Sequence, residues 1–186
     1  PDVTNFAGFP YGSTSLTGNH TITPGAYRYL NPKGGKTITF SGTGIYVFKE
    51  IDVEGNDNVF RFDFKNDPNG KIILYVHDDV EIYKLRTEIV NGGSAARIYT
   101  EVHGNGSYCS DRSSAFRHEN GTSGSSNGQW LGTVWAPNGN IYLSFGPSNS
   151  SYKGALWSGR QIILGGNLKL EFVPLAPDAP QDIIPQ

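Results

Sequence analysis

The chain has 186 residues, enough for one domain with a buried core, and its 15 Lys and Arg against 17 Asp and Glu give a formal net charge of −2. So small a charge excludes a global field that would recruit nucleic acid, and no apolar run approaches the ~20 residues of a membrane-spanning helix. Twenty-four glycines demand much turning, while ten Tyr, ten Phe and three Trp exceed what a disordered glycine-rich linker carries.

Short runs of β type follow one another along the chain, separated by turn clusters. His20-Thr-Ile-Thr23 passes through Pro24-Gly25 into Ala26-Tyr-Arg-Tyr29. Lys36 to Phe40 and Gly44 to Phe48 come next. Val59 to Phe64 alternates strictly, which puts Phe60, Phe62 and Phe64 on one face. Lys71 to Val76 is almost continuously apolar, the pattern of a strand covered on both faces. Asp78 to Val90 contains neither Gly nor Pro, yet its branched and aromatic residues favour strand over helix. Further strands are predicted at 96–102, 130–135, 140–143, 155–157, 161–164 and 168–172. Residues 104–128 read by composition as a long polar excursion from the core. The single cysteine, Cys109, falls in it and reads as an unpaired thiol. Prolines at 174, 177, 180 and 185 mark residues 174–186 as an extended tail attached to a single domain spanning 1–173.

Many short strands suit either a stacked solenoid or an antiparallel β-sandwich. An internal echo favours the solenoid. Gly132-Thr-Val-Trp-Ala-Pro-Asn-Gly-Asn-Ile-Tyr-Leu143 lines up with Gly154-Ala-Leu-Trp-Ser-Gly-Arg-Gln-Ile-Ile-Leu164 when one gap is allowed. One coil cannot bury its inward residues alone, whereas a second coil stacked on it sets Trp135 beside Trp157 and Ile141 beside Ile162. The expected fold is therefore an all-β right-handed parallel β-helix.

Thr23-Pro-Gly-Ala-Tyr27, Phe40 to Phe48, Asn91-Gly-Gly-Ser-Ala-Ala-Arg-Ile-Tyr99, Gly132 to Asn138 and Gly154 to Leu164 together span about two thirds of the chain. In their order they resemble the ice-binding protein fold of bacteria and fungi and the related choice-of-anchor A surface domains. The resemblance implies a β-helix and an extracellular or cell-surface setting. That family's Ala-rich helix has no counterpart here. Its flat face of small residues is interrupted by Arg61, Asp63, Glu81 and Lys84.

Asp63, Asn66, Asp67 and Asn69 crowd one turn with oxygen ligands of the type calcium takes, but an Asn-Asp-Pro-Asn-Gly turn satisfying its own backbone accounts for them. Asp78 and Asp79 read as solvated charges on opposite faces of a strand start. His20, His77, His103 and His118 are scattered, with Ser110, Asp111 and Ser113 near His118 but no nucleophile elbow. No catalytic set, metal site or cofactor motif emerges. Four Asn-X-Ser/Thr triplets, at Asn19, Asn105, Asn120 and Asn149, carry little weight in a chain this rich in Asn, Ser and Thr.

Tyrosines are the best binding signal. Tyr27, Tyr29, Tyr83, Tyr142 and Tyr152 are expected on the surface, where a row of rings could stack on sugars or bury against a neighbouring copy. Ile183 and Ile184 in the tail are expected to dock by strand addition. The functional expectation is a non-enzymatic adhesion or appendage module whose partners are copies of itself or another surface protein. Ice binding and glycan recognition are the alternatives.

Overall fold

The computed structural model describes residues 2–106, 114–120, 128–146 and 150–177. Among them the chain is a parallel β-helix, with two short 3-10 turns at Phe6–Gly8 and Ala95–Arg97 and no α-helix. The first coil comprises β1 (His20–Ile22), β2 (Gly25–Ala26) and β3 (Tyr29–Leu30). The second holds β4 (Thr37–Ser41), β5 (Gly44–Phe48) and β6 (Glu50–Val53). The third holds β7 (Asn58–Asp63), β8 (Ile72–Val76) and β9 (Val80–Tyr83). Then come β10 (Leu85–Val90), β11 (Ile98–Val102) and β12 (Ser114–Asn120), followed by β13 (Gln129–Leu131), β14 (Thr133–Ala136) and β15 (Asn140–Phe145). The last full coil is β16 (Ser151–Gly154), β17 (Leu156–Ser158) and β18 (Ile162–Gly166), with β19 (Lys169–Phe172) laid on β16.

Every strand pairs in parallel with the strand one coil away, which generates three faces. The second face runs β2-β5-β8-β11-β14-β17 and the third β3-β6-β9-β12-β15-β18. The first face runs β1-β4-β7-β10 and resumes as β13-β16-β19. At that junction the Thr87 Oγ1 hydroxyl donates to the Gln129 carbonyl (3.2 Å).

Register carries each inward position up the stack. Leu30, Ile51, Val80, Phe116, Ile141 and Ile162 form one ladder, and His20, Ile38, Phe60 and Thr87 another. Phe60, Phe62 and Phe64 are fully buried, as their alternation predicts. Trp135 pairs with Trp157 and Ile141 with Ile162, as the echo requires. The echo begins on Gly132 and Gly154 for a steric reason. A Cβ on Gly154 would collide with the Gly132 carbonyl. The Tyr152 hydroxyl, from inside the coil, reaches that same carbonyl (2.7 Å) and Ala155 O (2.9 Å).

The polar excursion is corrected in part. Residues 114–120 are β12, paired with both β9 and β15, and Ala115, Phe116 and His118 are buried. Composition hid an alternation that sends Phe116 and a histidine inward and Arg117 and Glu119 outward. Cys109, Ser110, Asp111 and Ser113 lie outside the described residues, as do Ile183 and Ile184.

Candidate functional site

The five tyrosines do not form a row. Tyr152 is corrected from surface to core: it is 1% exposed on the inward ladder between Trp130 and Leu170. Its flanks, Ser151 and Lys153, are polar outward positions, so the single inward ring had no apolar pattern around it. Tyr27 stacks on Phe48 (5.5 Å between centroids) and donates its hydroxyl to the Thr23 carbonyl (2.6 Å). Tyr29, Tyr83 and Tyr142 share the outer side of the third face, but on alternate coils. Tyr142 is also corrected, being buried where the exposed position was expected, with the Arg117 guanidinium 5.9 Å from its ring centre. Tyr83 is 38% exposed.

Charged residues fill the rungs between those rings. Asp52, Glu81 and Arg117 stack on one outward ladder, and Arg117 bonds Glu81 and Glu119 (both 3.0 Å). Asp52 accepts from Asn31 Nδ2 (2.8 Å). Burial, together with the Glu54 and Glu81 charges, pushes its pKa up to about 6. Across the stack on the first face, Thr21 sits beside Thr39, but the rung continues as Arg61 and Glu88, joined at 3.0 Å.

The Asp63–Asn69 turn satisfies its own backbone. Asp67 accepts from Asn69 N, Gly70 N and Thr43 Oγ1 (3.0, 2.8 and 2.6 Å), and Asp63 from Lys65 N and Asn91 Nδ2 (3.0 and 2.8 Å). Among the described residues no three His, Cys, Asp or Glu side chains are grouped as metal ligands would be. Asp79 departs from its solvated reading. It is 2% exposed at the corner before β9, where its Oδ1 accepts from Gly106 N (2.9 Å).

Two histidines that are 26 residues apart in the chain meet on the second face, because its register sets Val76 beside Val102. Residues 2–10 run along that face as a strap. Phe6 stacks flat on His103 (3.6 Å) and tilts against His77 and Tyr75 (5.0 Å each). His77 Nε2 lies 2.8 Å from the Phe9 carbonyl. Beneath the strap, Glu101 is completely buried. Its carboxylate accepts from Thr4 N (2.8 Å), Thr4 Oγ1 (2.6 Å) and the Tyr99 hydroxyl (2.9 Å), and lies 2.7 Å from His103 Nε2. Burial pushes its pKa up, but the hydrogen bonds from His103, Thr4 and Tyr99 outweigh it and hold the carboxyl below its ordinary range. This pairing explains the continuous apolar run at 71–76: Tyr75 and Ile73 face outward, under the strap.

The two ends of the stack differ. At the N-terminal end, residues 12–16 lie along the first coil through Gly12 N to Tyr27 O (3.0 Å) and Leu16 N to Tyr29 O (2.8 Å). Leu16 closes the core there, while Ser13, Thr14, Ser15 and Thr17 face solvent. At the C-terminal end the inward ladders stop at Ile162, Leu164, Leu170 and Phe172, which are 42%, 47%, 51% and 75% exposed. An open depression of about 440 Å³ lies at the turn corner, lined by His103, Asn105, Pro137, Asn138, Gly159 and Arg160. Among the described residues this end is an exposed apolar surface, and it was legible in the sequence only as one more alternating strand.

Compared with protein-family models, with curated proteins and with solved structures, the chain matches none. The geometry therefore carries the functional reading.

Proposed function

We propose that this chain is a non-enzymatic β-solenoid module of an extracellular or cell-surface protein that works by surface contact and self-assembly. The observation that carries the reading is the apolar C-terminal end, where side chains that are core elsewhere in the stack are about half exposed or more. Stacked modules need a polar cap or a partner at each terminus, and among the described residues only the N-terminal end has the cap. The sequence resemblance to choice-of-anchor A surface domains supports the setting. Light scattering of the full chain over a wide concentration range, with a binding screen on cell-wall polysaccharides and surface proteins, tests it. A chain that neither self-associates nor is retained on any such surface would sink it.

The Thr21–Thr39 rung favours a second reading, ice binding. It is two coils deep before Arg61 and Glu88 replace it, far short of an extended flat face. Thermal hysteresis decides this: no hysteresis and no shaping of ice crystals at high concentration exclude it. The tyrosines separated by charged rungs give glycan stacking less support, and a glycan array reads that directly.

A further inference from the structure

We infer that the open end is a self-complementary joint: two copies meet C-terminal end to C-terminal end, with β19 pairing antiparallel to its own copy about a twofold axis at Leu170. The inference rests on the assembly reading above and names its partner and register.

The backbone sets up the joint. In the parallel ladder with β16, Lys169 N donates to Ser150 O (3.3 Å) and Val173 N to Gly154 O (3.1 Å). Alternation then turns the backbone groups of Leu168, Leu170 and Phe172 towards the other edge, which no strand pairs among the described residues. Centred on Leu170, an antiparallel self-pair lets Leu170 exchange both backbone bonds with its own copy, and Leu168 exchange with Phe172.

The side chains agree with that register. Leu168-Lys-Leu-Glu-Phe172 reads the same way from both ends in polarity, and reversed in charge. Lys169 falls opposite Glu171 of the second copy, Leu170 opposite Leu170, and Leu168 opposite Phe172. Residues directly opposite share a face, so the inward apolar residues of both copies stay inward and the two cores become one. The same rotation turns β17 of one copy towards β18 of the other, so Ile162 and Leu164 face the second copy across a gap of about two strand spacings, ~10 Å, because both strands end one rung short of β19.

Other arrangements fit less well. A head-to-tail stack would press this end onto the exposed Ser13, Thr14 and Ser15 of the capped end. Residues 173–177 lead away from this end: Val173 bonds Gly154, and Ala176 N donates to Ala96 O (2.7 Å), two coils back towards the N-terminus.

Sedimentation velocity on the full chain tests this, with circular dichroism as the folding control. The wild type is expected to form a dimer and nothing larger. Leu170→Asp with Phe172→Asp is expected to give a folded monomer. Lys169→Glu alone, or Glu171→Lys alone, sets like charges opposite each other twice per dimer and is expected to weaken association by about tenfold. Mixing those two single variants restores opposite pairs and is expected to restore the dimer. Association unchanged by either single reversal, or no rescue on mixing, overturns the antiparallel joint while leaving self-assembly standing. A chain monomeric until residues 178–186 are removed overturns it too, by making the tail the occupant. A chain monomeric throughout overturns it together with self-assembly, leaving surface contact to its own binding screen.

Discussion

His118 sits in a costly position. It occupies an inward ladder between Ile82 and Leu143, with Phe145 edge-on at 4.7 Å, and neither ring nitrogen has a hydrogen-bond partner among the described residues. Burial drives its pKa from 6.5 down to about 3, so the folded chain keeps it neutral. Between those two values the unfolded chain takes up a proton that the folded chain refuses. Stability is therefore full above about pH 6.5 and falls on acidification by about 1.4 kcal/mol per pH unit. His118→Leu continues the aliphatic ladder, removes the unpartnered nitrogens and is expected to raise the melting temperature. The gain should grow from pH 7 to pH 5 by about 2 kcal/mol, read from denaturant melts at each pH. Gly154→Ala works the other way. The added methyl meets the Gly132 carbonyl, and a loss of about 2 kcal/mol is expected, with Ser158→Ala, on a half-buried position of the same coil, as the milder control.

At the scale of the element, the strap over the second face depends on one carboxylate. Glu101 holds Thr4 by two hydrogen bonds, and Phe6 covers His103 and Tyr75. A carboxyl held below its ordinary pKa contributes stability that is present above the unfolded value of about 4.5 and is lost as pH falls through the folded value. Acid is therefore expected to release residues 2–10 before the coils unfold. Proteolysis at the N-terminus or hydrogen exchange at Thr4 and Phe6, followed against pH, checks this. Phe6→Ala removes the buried ring and is expected to cost up to about 3 kcal/mol and to speed exchange in the strap at every pH. If that exchange stays as slow as in the wild type, the strap is held by something other than Phe6.

Alternating strands were the most legible elements, because inward and outward residues separate at a period of two whatever their partners. The Val59–Phe64 run and the 22-residue echo are of this kind. Glu101 was not legible, since its partner Thr4 is 97 residues away and nothing near it in the chain signals a buried charge. Tyr152 and β12 were missed for a related reason: their neighbours are polar, and only the coils above and below show which way they point.

For the whole molecule, stability is close to a sum of coils and the contacts between neighbours, so the ends should open first. The N-terminal end is sealed by Leu16 and its polar cap, whereas the C-terminal end exposes four core positions. Hydrogen exchange is therefore expected to be slowest in β7 to β12 and fastest in β17 to β19, with protection of β19 rising as the chain is concentrated. Equal protection at both ends of a monomer would show that exposure at the last coil does not set the order of opening.

The sequence by itself determined the class of fold, the strand faces and the stacking of Trp135 on Trp157, because each follows from local periodicity and one repeat. Tertiary structure alone decided that Glu101 is buried beneath a strap, that the tyrosines are dispersed or enclosed, and that, among the described residues, one end of the stack is capped while the other exposes its core positions. Those facts depend on which residues of separate coils, or of the N-terminal segment, are brought side by side, and no pattern within a single strand encodes such long-range pairs.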